Sequence, residues 1–122
     1  MKRLLSLLAI LMAVSTLTSA QGKKKIITEN IPVRGVCEDC KARIEKAAYL
    51  PGVKRAEWDP QTQNLKVSFK ASKVSLLEIE QSIARAGHDA GDIKAPDSAY
   101  NHLPSCCAYK EKGLHSHDGH KH

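Results

Sequence analysis

The chain has 122 residues, a formal net charge of +6 at pH 7 and four cysteines, and only 4% of its residues are aromatic. Because the few aromatic residues are not interleaved with the basic ones, the composition gives no support to a nucleic-acid-binding role. The sequence contains no Ser-His-Asp set, phosphate-binding loop or paired carboxylates at a plausible site, so we do not predict an enzyme.

The first 20 residues have the layout of a secretory signal peptide. Lys2 and Arg3 precede an apolar run over residues 4–17, and small residues suited to cleavage follow at 18–20. The run is too short for a comfortable membrane span, and an uncleaved anchor helix is the alternative. We therefore predict an exported protein, periplasmic or secreted, without stable membrane insertion.

Residues 21–95 are predicted to form one domain, which opens with a strand and a helix. The segment KIITENIPVR places Ile27, Ile31 and Val33 on one face of a strand. From Glu38 onward the apolar spacing changes to the period of a helix. The segment LPGV, with its proline and glycine, then ends that helix.

The second half of the domain continues with a hairpin and another helix. Two short alternating runs joined by the segment DPQTQN predict the hairpin. Ser75 and Glu78 form a capping-box signature, and Gly87 is the expected stop of the helix. A weak final strand is predicted around Ile93. The order β-α-β-β-α-β predicts an α+β ferredoxin-like fold, in which a four-stranded antiparallel sheet carries two helices on one face.

Cys37 and Cys40 stand in the stretch RGVCEDCKARIE, where the first strand gives way to the first helix. A helix N-terminus stabilises thiolates, and thiolates select soft or borderline ions such as Cu(I) and Zn(II). Two protein thiolates leave one side of an ion open to a partner's thiolate, whereas a structural zinc site normally has four ligands. A metal carrier is therefore predicted. A structural disulfide and a thiol–disulfide redox pair are the alternatives, because the predicted exported compartment is oxidising.

The segments VRGVCEDCKARIEKA, LPGVKRAEWD, LKVSF and VSLLEIEQSIARAGHDA resemble the heavy-metal-associated domain family over residues 26–94. That family includes copper metallochaperones, metal-binding domains of copper-transporting P-type ATPases and periplasmic mercury-binding proteins. The resemblance implies one soft metal ion on Cys37 and Cys40, with Cu(I) first and Hg(II) or Zn(II) as alternatives. It also implies a metal-transporting ATPase or another thiol-bearing metal acceptor as partner.

One position departs from the family pattern. The family has Gly-Met-x-Cys-x-x-Cys, whereas here Gly35 and Val36 run straight into Cys37. The methionine that tucks beneath the metal loop in the family is therefore missing, and the loop is one residue shorter. This difference bears on metal preference and on the rigidity of the loop.

Residues 96–122 are predicted to form a flexible tail rich in cysteine and histidine. Cys106 and Cys107 are adjacent, and four histidines follow them, His115, His117, His120 and His122. Adjacent thiols beside a histidine-rich segment suit soft-metal capture, so a second metal site is predicted in the tail. The alternatives are a disulfide to the domain, a thiol pair without a role, and a fold-back that joins these thiols to the Cys37 and Cys40 pair.

His88 is a further candidate ligand, because it follows the stop of the second helix directly. The family resemblance implies that this loop lies beside the metal loop. An ordinary exposed histidine, favoured by the dipole at the end of a helix, is the alternative.

Overall fold

The computed structural model describes residues 25–111, which form a small α+β fold. Its elements are β1 (Ile26–Pro32), α1 (Glu38–Ala48), β2 (Val53–Asp59), β3 (Asn64–Lys70), α2 (Leu76–Arg85), α3 (Asp97–Asn101) and a short 3-10 helix (Ser105–Cys107). The predicted signal peptide and the four histidines His115, His117, His120 and His122 lie outside the described residues. No helix in the described range is long and apolar enough to cross a membrane.

The sheet of residues 25–111 has three antiparallel strands in the order β1-β3-β2. In the register, Leu65 of β3 lies opposite Ile31 of β1 on one side and Trp58 of β2 on the other. These three side chains are buried together with Val67 and Phe69. The alternating apolar positions of the three strands therefore build one buried face of the sheet, as the period of two predicts.

The two longer helices close the core over this sheet. The Ser75 side chain accepts a hydrogen bond from the N–H of Glu78 at 3.2 Å, and the Glu78 carboxylate accepts one from the N–H of Ser75 at 2.7 Å. The predicted capping box at the start of α2 is thus confirmed. Ile44 of α1 and Ile79 and Ile83 of α2 belong to the same buried cluster as the sheet residues.

The predicted fourth strand around Ile93 is wrong for the part of the chain that the structure describes. Ala90 makes only an isolated antiparallel bridge with Val33, just beyond the end of β1. The chain then turns back, because Ala90 and Ile93 exchange both of their backbone hydrogen bonds at 2.9 Å. Gly91 inside this turn has a φ of +55°, which glycine adopts at little cost. The segment after α2 therefore pairs with the end of β1 through a single residue and does not form a fourth strand.

Residues 97–111, called the strap below, lie against the domain, although the sequence predicted a flexible tail from this region onward. Cys107 and Tyr109 are fully buried. The Tyr109 hydroxyl donates to the carbonyl of Gly87 and accepts from the N–H of Asp89, both at 3.1 Å. Burial of an aromatic ring with a satisfied hydroxyl offsets the entropy lost by ordering the segment.

Candidate metal-binding site

Cys37 and Cys40 meet at the N-terminus of α1. Cys37 is the N-cap residue, with an extended backbone (φ −146°, ψ 175°), and Cys40 lies in the first turn. Their Sγ atoms are 3.4 Å apart. None of the four cysteines, all of which are in the described range, forms a disulfide. Both sulfurs lie at the positive end of the helix dipole, so this corner favours thiolates.

The loop before Cys37 rests on Trp58. A Cβ atom on Gly35 would come within 2.9 Å of Trp58 Cη2 and 3.0 Å of Cys40 Cβ, so a side chain does not fit there. The buried indole is fixed in turn, because its Nε1 donates to the carbonyl of Val33 at 2.9 Å. Val36 also packs against the core. The shortened loop is therefore supported from below without the methionine of the family pattern.

Cys107 of the strap lies beside the Cys37 and Cys40 pair. Its Sγ is 3.5 Å from Cys37 Sγ, and the three sulfurs all lie within 4.8 Å of one another. Cys40 and Cys107 are buried, whereas Cys37 is partly exposed. Arg43, one turn further along α1, donates from Nη1 to Cys107 Sγ at 3.2 Å. Of the arrangements left open by the sequence, the structure has the fold-back of Cys107.

Cys106 lies next to the same corner on its exposed side. Its thiol donates to Asp39 Oδ2 at 3.5 Å, and its Sγ is 3.8 Å from that of Cys107. Cys37, Asp39 and Cys106 form a second group of potential ligand atoms within 4.8 Å of one another. Both groups share Cys37, so the two strap cysteines adjoin the primary pair instead of standing apart from it.

Comparisons with known proteins agree with this geometry. The model of the heavy-metal-associated domain family matches residues 31–89. The copper chaperone CopZ of Staphylococcus saprophyticus is 36% identical over 64 residues, which cover 51% of this chain and 94% of that protein. The chain belongs to the heavy-metal-associated domain family. The predicted resemblance is thus confirmed, and the protein contains a heavy-metal-binding domain of the copper-chaperone kind.

Solved structures of this family share the fold. A CopZ metallochaperone superposes with a TM-score of 0.51 and 27% identity, covering 52% of this chain and 98% of that chain. Oxidised MerP from Ralstonia metallidurans CH34 gives a TM-score of 0.52 and 25% identity, covering 55% of this chain and 96% of that chain. The strap lies beyond the residues that the heavy-metal-associated family model matches.

The thiols at this candidate site differ in acidity. Burial raises the pKa of Cys37, but hydrogen bonds from the N–H of Cys40 and from the thiols of Cys40 and Cys107 lower it by more, so the pKa lies below its ordinary value. The hydrogen bond with Cys107, followed by burial, raises the pKa of Cys106 to about 11. Burial raises the pKa of Cys107 to about 11 as well. Among these three thiols, Cys37 loses its proton first.

We expect iodoacetamide to alkylate Cys37 about tenfold faster than Cys106 in the reduced, metal-free protein near neutral pH. Both thiols are partly exposed, so access is similar. The raised pKa of Cys106, about 11, leaves it with roughly 100-fold less thiolate than an ordinary cysteine, whereas the pKa of Cys37 lies below the ordinary value. The weaker nucleophilicity of the more acidic thiolate offsets roughly tenfold of this advantage. Mass spectrometry of peptides after short reaction times measures the ratio. Equal rates at the two cysteines would show that the N-terminus of α1 does not activate Cys37.

The structure does not bring His88 into either group of potential ligands. The ring is buried and stacks on Tyr109 with centroids 5.6 Å apart, so the alternative of an exposed histidine is wrong. Nδ1 donates to the carbonyl of Arg34 at 2.7 Å, and Nε2 is buried without a hydrogen-bond partner among the described residues. Burial lowers the pKa of His88 to about 4. The neutral ring thus connects the strap to the loop before Cys37.

We expect His88 to make the metal-free protein acid-labile. Its folded-state pKa is below the unfolded value of 6.5. Its contribution is therefore complete above about pH 6.5 and is lost as the pH falls towards about 4, a decrease of about 3 kcal/mol in the free energy of unfolding. Urea unfolding between neutral pH and pH 4 measures this against a His88→Gln variant, which should lose that part of the pH dependence. The exposed His102→Gln is the control, and identical pH profiles for His88→Gln and wild type would contradict the assignment.

Two residues of the site were missed by the sequence analysis. Arg43 stands 64 positions before Cys107, and no spacing pattern joins them. Tyr109 offered a signal, since it is one of three tyrosines in an aromatic-poor chain and follows the cysteine pair closely. An aromatic residue in an otherwise polar tail indicates a point of attachment to the domain.

Proposed function

We propose that the protein is an exported carrier or scavenger of a soft metal ion, Cu(I) before other ions, which Cys37 and Cys40 bind as thiolates. The observation that carries the proposal is the pair of sulfurs 3.4 Å apart at the N-terminus of α1. Soft thiolates prefer Cu(I), and the similar protein from Staphylococcus saprophyticus is named a copper chaperone. Export rests on the signal-peptide pattern of residues 1–20.

The arrangement supports binding and transfer by ligand exchange. Cys37 is partly exposed and has a lowered pKa, so its thiolate meets an arriving ion first, and the buried Cys40 thiolate follows. A thiolate of an acceptor then displaces the two protein thiolates one at a time, without a change in oxidation state. The proposed acceptor is a metal-transporting ATPase or another thiol-bearing protein, because the family contains copper-binding domains of such ATPases.

Two alternatives concern the same cysteines. Hg(II) and Zn(II) are alternative ions, since both bind thiolates. A thiol–disulfide redox protein is the alternative of another class. It is favoured by the lowered pKa of Cys37 beside Cys40 and by the similarity to a structure of oxidised MerP.

Competition among metal ions tests the proposal. Cu(I), Hg(II) and Zn(II) are titrated separately and in pairs into the reduced protein against chelators of known affinity, with fully alkylated protein as the control. We expect one tightly bound Cu(I) that excess Zn(II) does not displace. Retention of Zn(II) or Hg(II) in the presence of Cu(I) would make the proposed cargo wrong. Absence of tight binding, together with disulfide exchange at a defined reduction potential, would favour the redox class.

A further inference from the structure

The strap places a third sulfur beside the pair that binds the ion in the proposed function. Cys107 Sγ and Cys40 Sγ lie 3.5 Å and 3.4 Å from Cys37 Sγ, and all three atoms are within 4.8 Å of one another. With metal–thiolate bonds of about 2.3 Å, an ion equidistant from three thiolates requires sulfurs about 4 Å apart. Small rotations of the three side chains would bring the sulfurs to this separation. The three sulfurs are therefore placed to bind one ion in a trigonal arrangement.

Arg43 supplies a positive charge where a three-thiolate site needs it. Three thiolates carry three negative charges, of which Cu(I) neutralises only one. The guanidinium donates to Cys107 Sγ at 3.2 Å, and the N-terminus of α1 faces the other two sulfurs. A charge-assisted hydrogen bond to a thiolate stabilises its ionised form, so Arg43 offsets the cost of ionising the buried Cys107.

Cys107 is held in this position by the strap. The N–H of Cys107 donates to the carbonyl of Pro104 at 2.8 Å, which closes the 3-10 turn. Two residues later, the buried Tyr109 is anchored by its hydroxyl to the loop after α2 and by its ring to His88. Because Cys107 itself is part of the hydrophobic core cluster, the metal-free protein already holds this sulfur next to the pair.

We propose that Cys107 is a third thiolate ligand and that the strap thereby occupies the open side of the ion, where the thiolate of an acceptor would enter. This inference rests on the proposed function, because it assigns a further ligand to the same ion. A domain with only Cys37 and Cys40 leaves the ion open to exchange. With Cys107 bound, release requires the strap sulfur to leave first, so the protein retains its ion as a scavenger.

Two matched cysteine variants of the full chain test the proposal. Cys107→Ser is compared with Cys106→Ser, which removes the adjacent thiol that points to Asp39. Cu(I) affinity is measured by competition with the chelator bathocuproine disulfonate, and the rate of Cu(I) loss to excess chelator is recorded. If the binding free energy of a four-ligand zinc site is divided equally among its ligands, one thiolate accounts for a factor of roughly 100 in affinity. We expect Cys107→Ser to weaken binding by about that factor and to speed loss of the ion, while Cys106→Ser changes both little.

A measurement on the wild type covers the case in which Cys107→Ser does not fold. X-ray absorption at the copper edge, with one equivalent of Cu(I), should show three sulfur neighbours. Two sulfur neighbours, or equal behaviour of the Cys106 and Cys107 variants, would overturn the third-ligand proposal and leave the proposed function intact. Failure of the proposed function is distinguishable, because Cu(I) would then bind without sulfur neighbours or not bind tightly at all.

Discussion

Replacement of both Cys37 and Cys40 by serine is expected to weaken Cu(I) binding by about 10⁴-fold. Four-ligand zinc sites bind with roughly 10–16 kcal/mol, so each thiolate contributes on the order of 3 kcal/mol, and two lost thiolates correspond to about four powers of ten. The serine hydroxyl remains neutral and hard, so it does not replace the lost ligand. Competition titration of the reduced protein with a Cu(I) chelator measures the change.

The control for this double variant is a protein in which His117 and His120, outside the described residues, are both changed to alanine. If the ion is held by the domain, the histidine variant binds Cu(I) as tightly as the wild type does. Unchanged tight binding in the double serine variant would move the principal site away from the N-terminus of α1. If the histidine variant also lost tight Cu(I) binding, the site would lie in the tail.

Replacement of Tyr109 by alanine is expected to lower the free energy of unfolding by about 3–5 kcal/mol, the range for loss of a large buried aromatic side chain. The ring is fully buried, stacks on His88 and meets Tyr100 edge to face with centroids 5.1 Å apart. Tyr109→Phe keeps the ring but leaves the N–H of Asp89 without its partner. The free energy of unfolding of Tyr109→Phe should therefore be lower by about 1–3 kcal/mol.

Urea unfolding of the reduced, metal-free protein measures these differences. Tyr49→Ala is the matched control, because this tyrosine is 52% exposed and its hydroxyl accepts a hydrogen bond from the N–H of Ala56 at 3.2 Å. The free energy of unfolding of Tyr49→Ala should be lower than that of the wild type by about 1 kcal/mol. A loss below that value for Tyr109→Ala would show that the strap is not anchored in solution, and the position of Cys107 would then have no structural support.

The sequence was sufficient to predict the parts of the fold that depend on local pattern. The period of two in the strands, the period of the helices, and the Ser75 and Glu78 capping box each follow from neighbouring residues alone. The Cys37 and Cys40 pair was predicted for the same reason, because the start of α1 lies within the motif itself. Their proximity needs no information from distant residues.

Features that depend on distant residues were not predictable. The segment after α2 has strand-like residues, but the turn between Ala90 and Ile93 ends its pairing with Val33. The burial of His88 depends on Tyr109, which is 21 positions away and lies in a segment that is polar by composition. Likewise, only the attachment of the strap brings Cys107 to Cys37. The composition of the tail indicated a flexible segment, because a few buried side chains such as Tyr109 hardly change the average polarity of the whole segment.

The location of the ion in the protein is the most direct test of the central claim that Cys37 and Cys40 carry it. Backbone amide resonances of the ¹⁵N-labelled, reduced protein are followed by NMR while one equivalent of Cu(I) is added. We expect the first and largest changes in residues 35–41, at the loop and first turn of α1, with accompanying changes around Cys107. Changes confined to the segment that contains His115, His117, His120 and His122, with residues 35–41 unaffected, would contradict the claim.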